Sequence, residues 1–198
     1  MYRLMGFLCE ALVELSDHRK QLLDLLEAIQ ALPPSDQIDW PRLPGFGNMW
    51  ADLYRLHMHG HDHWETSETP LTDTRKRELC RHEEAVAAAE ADMFLRGVGG
   101  VTARWGYEWL SLVHWQRPGM AVFMRGAYVW LAKAGGRLKD QLEPDKVSSY
   151  GHPSRVKAAM PEHWEAWRWS FLRISEEVEA FAADDREVAG ECYKLMET

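Results

Sequence analysis

"PGMAVFMRGAYVWLAKAGG", residues 118–136, is the stretch from which the fold is read. Arg125 and Lys133 are its only charged residues, and Ala, Met and Leu favour a helix through most of its length. Met120, Phe123, Met124, Ala127 and Trp130 recur at steps of three and four, and the remaining positions are nearly as apolar. A helix that is apolar almost all round has no face for water. It belongs at the centre of a helical protein, with other helices packed against it.

The flanking sequence supplies those helices. "VTARWGYEWLSLVHW" (101–115), joined to the central stretch by "QRPG", aligns Trp105, Trp109 and Leu112 on one face. Residues 73–96 are Ala- and Glu-rich and predict a long helix closed by "GVGG" at 97–100. In "DHRKQLLDLLEAIQALPP" (17–34), Leu22, Leu25, Leu26, Ile29 and Leu32 form the expected stripe, Asp17 caps the start and Pro33-Pro34 ends it. The connector "SDQIDWPRLPGFG" leads into "NMWADLYRLHM", where Asn48 is the expected cap and Trp50, Leu53 and either Leu56 or His57 are expected inside. Residues 143–160 read as a polar, irregular excursion. In "MPEHWEAWRWSFLRISEEVEAF" (160–181), Trp164, Trp167, Phe171, Ile174, Val178 and Phe181 mark one helical face, with Pro161 in the first turn. A last short helix carries Val188, Cys192 and Leu195. The prediction is an all-α, single-domain irregular bundle over residues 1–198, with about seven helices and a Trp-rich core.

Composition narrows the function. The 198 residues suffice for a substantial core, and 46% hydrophobic with 27% charged residues is ordinary globular composition. A net charge of −8 argues against nucleic acid or an anionic membrane surface as partner, because both need a basic face. No apolar run approaches the roughly eighteen residues of a membrane span. "MYRLMGFLCEALVELSD" is interrupted by Glu10 and reads as an amphipathic helix, not a leader. Cys9, Cys80 and Cys192 are odd in number and far apart, which predicts free thiols and a cytoplasmic location. Ten Trp residues are unusual. They predict either a heavily aromatic core or rings lining a cavity.

Motifs that would name a chemistry are lacking. "RLHMHGHDHW" sets His57, His59, His61 and His63 at alternate positions, but "HGHDH" is one residue short of the metallo-β-lactamase signature, and that fold needs sheets. The run is expected to be a solvated loop, with no physiological metal. Asp184-Asp185 lacks the spacing of an aspartate-rich cyclase motif and reads as the start of a helix. "GVGG" follows a helix, so it is no phosphate loop, and no nucleophile elbow occurs. Arg77 with Arg81, and Glu83 with Glu90, read as a solvated helix face. No cofactor is expected. What remains is the aromatic belt, where Trp105, Trp109, Met120, Phe123, Met124 and Trp130 are the candidate ligand-binding residues. His114, Arg125 and Tyr128 are the polar groups that could act on a ligand there.

The order of "LLDLLEAIQALPP" (22–34), "IDWPRLPGFGNMWADLY" (38–54), "GAYVWLAKAGG" (126–136) and "HWEAWRWSFLRIS" (163–175) resembles the fungal family catalogued as domain of unknown function 3632. The Leu43-Pro44-Gly45 turn before Trp50, and Trp164-x-x-Trp167 with Phe171, are the most specific parts of the likeness. The resemblance implies a helical fold and a small apolar ligand of secondary metabolism, and it carries over no site residues. The amino terminus is shorter than it implies, and the histidine run lies outside its pattern. Two functions are expected as alternatives. The first is a cofactor-free cyclase or isomerase, pericyclase-like, holding an apolar terpenoid or polyketide in a reactive shape. The second is a non-catalytic helical binding or protein-interaction module. A homodimer is compatible with either.

Overall fold

The computed structural model describes residues 2–35, 37–55, 72–113, 120–150 and 156–197. Leu56, the histidine run at 57–63 and His114 lie outside these residues. Eight α-helices and one two-stranded hairpin are formed among them. They are α1 (Tyr2–Glu14), α2 (Arg19–Gln30), α3 (Phe46–Trp50, continued by a π turn over Ala51–Arg55), α4 (Asp73–Arg96), α5 (Ala103–Val113), α6 (Met120–Asp140), α7 (Met160–Glu176) and α8 (Ala183–Glu197). The hairpin pairs β1 (Val147–Tyr150) with β2 (Val156–Ala159), Val147 lying opposite Ala159. No described helix is long and apolar enough to cross a membrane.

The helix read from residues 118–136 is the axis of the fold. α6 packs against α4, α5 and α8, and Met120, Phe123, Met124, Ala127, Trp130 and Leu131 are all buried. Two glycines let the large rings in. A β-carbon on Gly106 of α5 would lie 2.8 Å from Leu138 and 2.9 Å from the Trp130 ring. One on Gly126 of α6 would overlap the Trp109 ring. Small residues on α5 and α6 therefore let an indole from each helix lie against the other's backbone.

The helix ends follow local chemistry. Thr72 Oγ1 accepts the Arg75 N–H at 3.3 Å at the start of α4, and Gly97 (φ 71°) closes α4 in the left-handed region. Leu43 is also left-handed (φ 46°), which costs a non-glycine residue about 1–2 kcal/mol. Its side chain is buried beside α3, which offsets that cost.

Several expectations need correction. Asp17 sits in a 3₁₀ turn over Ser16–His18 before α2 and caps nothing with its side chain. Asn48 lies inside α3, whose N-terminal flanking residue is Gly45. In α2 the buried residues are Leu23 and Leu26, while Leu25, and Leu32 just beyond the helix, are exposed. Adjacent leucine pairs offer two overlapping stripes, and packing against α1 selects one. α7 buries Trp164, Trp167, Phe171 and Ile174 as expected but stops at Glu176, so Val178 is exposed. The excursion at 143–160 is not wholly irregular, because it holds the hairpin. Glu83 and Glu90 are buried, not solvated.

Candidate functional site

The belt residues lie in the core. Trp109, Met124 and Trp130 have no exposed surface, Met120 and Phe123 are buried, and Trp105 is half-buried against them. The indole N–H groups of Trp109 and Trp130 converge, with that of Trp50, on Glu90 of α4, which itself has no exposed surface. Trp50 Nε1 of α3 donates to Glu90 Oε1 at 2.9 Å. Trp109 Nε1 of α5 donates to Oε2 at 2.7 Å, and Trp130 Nε1 of α6 reaches the same oxygen at 3.4 Å. A buried carboxylate is costly without donors, and buried indole N–H groups are costly without an acceptor. Each satisfies the other here, and four helices are tied through one side chain.

Of the polar candidates within the described residues, Arg125 is engaged in ion pairs and Tyr128 is exposed. Arg125, 28% exposed, joins α6 to α4 and α8, its guanidinium 3.9 Å from Glu84 and 3.6 Å from Asp185. Tyr128 is turned outward on α6. Asp185, read as part of a helix start, is indeed in the first turn of α8, but it is buried and faces Arg125. The thiols are not poised as nucleophiles. Burial pushes Cys9 up to about 12 and raises Cys80 and Cys192 as well. All three cysteines are free.

An open cleft of about 1150 Å³ lies elsewhere, between the start of α5, the end of α6 and β1. Its walls include Arg104 and Tyr107 from α5, Asp140 from α6, Glu143 and Lys146 from the following turn, and Tyr150 from β1. Tyr107 and Tyr150 meet edge to face at 6.2 Å. Behind them Trp167 of α7 stacks on Tyr107 at 6.0 Å and receives the edge of Tyr150 at 5.3 Å. His163 stacks on Trp167 at 5.6 Å, and its Nε2 lies 3.0 Å from the Ser148 carbonyl oxygen, joining β1 to α7. This four-ring cluster gives the cleft a rigid back wall.

The chemistry of that wall is hydrogen bonding. Burial pushes the Tyr150 phenol up to about 12, with Glu108 adding to the rise and Arg104 opposing it. Burial also raises Tyr107, whose hydroxyl donates to the Leu138 carbonyl at 2.8 Å. Both phenols therefore stay protonated through the physiological range. On the rim, Arg104 bonds Glu108 at 2.9 Å and Lys146 bonds Glu143 at 2.8 Å, so both of these cations are paired. Sequence reasoning read the α5 wall of the cleft only as part of the helix at 101–115, and missed Tyr150, which comes from a segment read as irregular, and His163, which lies on a helix read as core.

No family model matches the chain, and neither the curated proteins nor the solved structures contain a match to it.

Proposed function

We propose that the protein is a small-molecule-binding helical module whose ligand occupies the cleft between α5, α6 and β1. The observation that carries this reading is the cleft itself, about 1150 Å³ in volume, backed by interlocked rings and rimmed by hydrogen-bonding groups. Such a volume suits a small organic ligand, and a wall of this kind fits a molecule of mixed polarity. Its apolar part would rest against Tyr150 while hydroxyl or amide groups meet Ser149, Lys146 and Arg104. Binding is favoured over a cyclase or isomerase activity at the belt, because Trp109, Met124 and Trp130 are closed off in the core and their indoles are held by Glu90.

The test is a fragment screen of phenolic, glycosidic and amino-acid-like compounds read by amide chemical shifts. Binders are expected to perturb Arg104, Ser149 and Tyr150 together, and Tyr150→Ala should weaken them about tenfold or more, as loss of a central aromatic contact does. Binders that perturb only residues outside the cleft would contradict the assignment, as would a screen in which none bind.

A further inference from the structure

The charge balance of the cleft between α5, α6 and β1 narrows what it can hold. Its walls bear three carboxylates, Asp140 at the end of α6 and Glu143 and Asp145 in the turn that follows, against two cations, Arg104 and Lys146. Both cations are already held, Arg104 by Glu108 at 2.9 Å and Lys146 by Glu143 at 2.8 Å. Asp140 and Asp145 make no ion pair or side-chain hydrogen bond among the described residues. The other basic residues near the end of α6 are turned to other partners. Arg137 donates to the Leu95 carbonyl at 2.8 Å, and Lys139 to the Glu197 carbonyl at 3.2 Å. The two helix ends that meet here, the start of α5 and the end of α6, carry opposite partial charges, so the side chains decide the sign. An anionic ligand has to draw Arg104 or Lys146 from an existing partner. A cationic one meets two carboxylates that have none.

The aromatic wall agrees with that sign. Tyr107 is buried, so Tyr150, half-buried on β1, is the ring that a ligand reaches. Its phenol stays protonated, since burial pushes it up to about 12, and a neutral ring presents a partly negative face that attracts cations. The spacing of the acids says which kind of cation. A metal ion needs several oxygens closed round it at roughly 2–2.6 Å. Among the described residues no three acid, His or Cys side chains are gathered closely enough to hold one, so these carboxylates line the cleft at separate points. An organic ammonium suits that arrangement, because it takes carboxylates one at a time through its N–H donors and rests its carbon atoms on a ring. About 1150 Å³ leaves room for the charged head and an apolar body together.

We infer that the ligand is a small organic cation whose ammonium group pairs with the Asp140 and Asp145 carboxylates and whose apolar body rests on Tyr150, an inference that rests on the cleft being the ligand site. Three probes of one shape test it: phenethylamine, phenethyl alcohol and hydrocinnamate, which are cationic, neutral and anionic near neutral pH. Each is titrated into the full chain at physiological salt, and the amide shifts of Arg104, Ser149 and Tyr150 are followed. Phenethylamine is expected to bind at least about tenfold more tightly than the other two, the discrimination that one charge-assisted hydrogen bond gives. Asp140→Asn combined with Asp145→Asn should abolish the preference. Glu10→Gln combined with Asp17→Asn makes the same charge change at exposed positions on α1 and the turn after it. That variant should keep the preference, which separates pairing in the cleft from general attraction to an acidic chain. Phenethyl alcohol or hydrocinnamate bound in the cleft as tightly as the amine would overturn the cationic inference and leave the cleft as the ligand site. A preference that survives the Asp140 and Asp145 changes, or is lost in the Glu10 and Asp17 variant, would overturn it in the same way. Phenethylamine that moves none of the three residues would also overturn it, and the cleft reading fails with it only if the wider fragment screen is silent there too.

Discussion

Glu90 is the residue on which most of this structure turns. Tryptophan is unusual among large apolar residues in carrying one N–H that needs an acceptor when buried. Trp50, Trp109 and Trp130 all have no exposed surface, and all three give that N–H to one carboxylate. Replacing Glu90 with Gln keeps the volume but leaves a single acceptor oxygen and turns an NH₂ group toward indole donors. The variant should lose about 1–3 kcal/mol for each indole left without an acceptor, read as a lower midpoint in urea. A midpoint within error of wild type would mean that the three hydrogen bonds add nothing. The sequence hid this role, because a glutamate in an Ala- and Glu-rich helix has the same appearance whether it faces water or the core.

At the scale of elements, the α5–α6 pair shows how the aromatic load is accommodated. Gly126 faces the Trp109 ring, whereas Gly136, ten positions on along the same helix, has nothing within 4 Å of an added β-carbon. Alanine favours a helix over glycine by about 1 kcal/mol. Gly136→Ala should therefore stabilise by up to about that amount, while Gly126→Ala should destabilise by about 1–3 kcal/mol through overpacking. Thermal denaturation of the two variants, with shifts of opposite sign, checks the pair. Shifts of the same sign would show that the indole does not pack on Gly126. α6 and α7 were legible because their apolar positions repeat over several turns, and α4 from its Ala- and Glu-rich composition. α2 was legible as a helix but not in its facing, since leucines at 22, 23, 25 and 26 support two stripes. The hairpin was not legible, because its strands are four residues long and Val147, its most strand-like residue, is 65% exposed.

For the whole molecule, the consequence is a division of labour. The aromatic belt expected to line a pocket forms the interior, and the cleft is assembled where α5 begins, α6 ends and β1 crosses. Its residues lie up to dozens of positions apart and carry no common motif, so only the folded chain brings Arg104, Glu143 and Tyr150 together. The fold class could be read from periodicity, which is local, whereas the cleft depends on contacts between distant segments. The division rests on the tryptophans being closed around Glu90, and hydrogen exchange of assigned indole N–H protons by NMR tests that most directly. The indole protons of Trp50, Trp109 and Trp130 should exchange only through large-scale opening, far more slowly than that of the exposed Trp169 on α7, and should lose that protection in Glu90→Gln. Exchange of the three in the wild-type chain as fast as that of Trp169 would contradict the account.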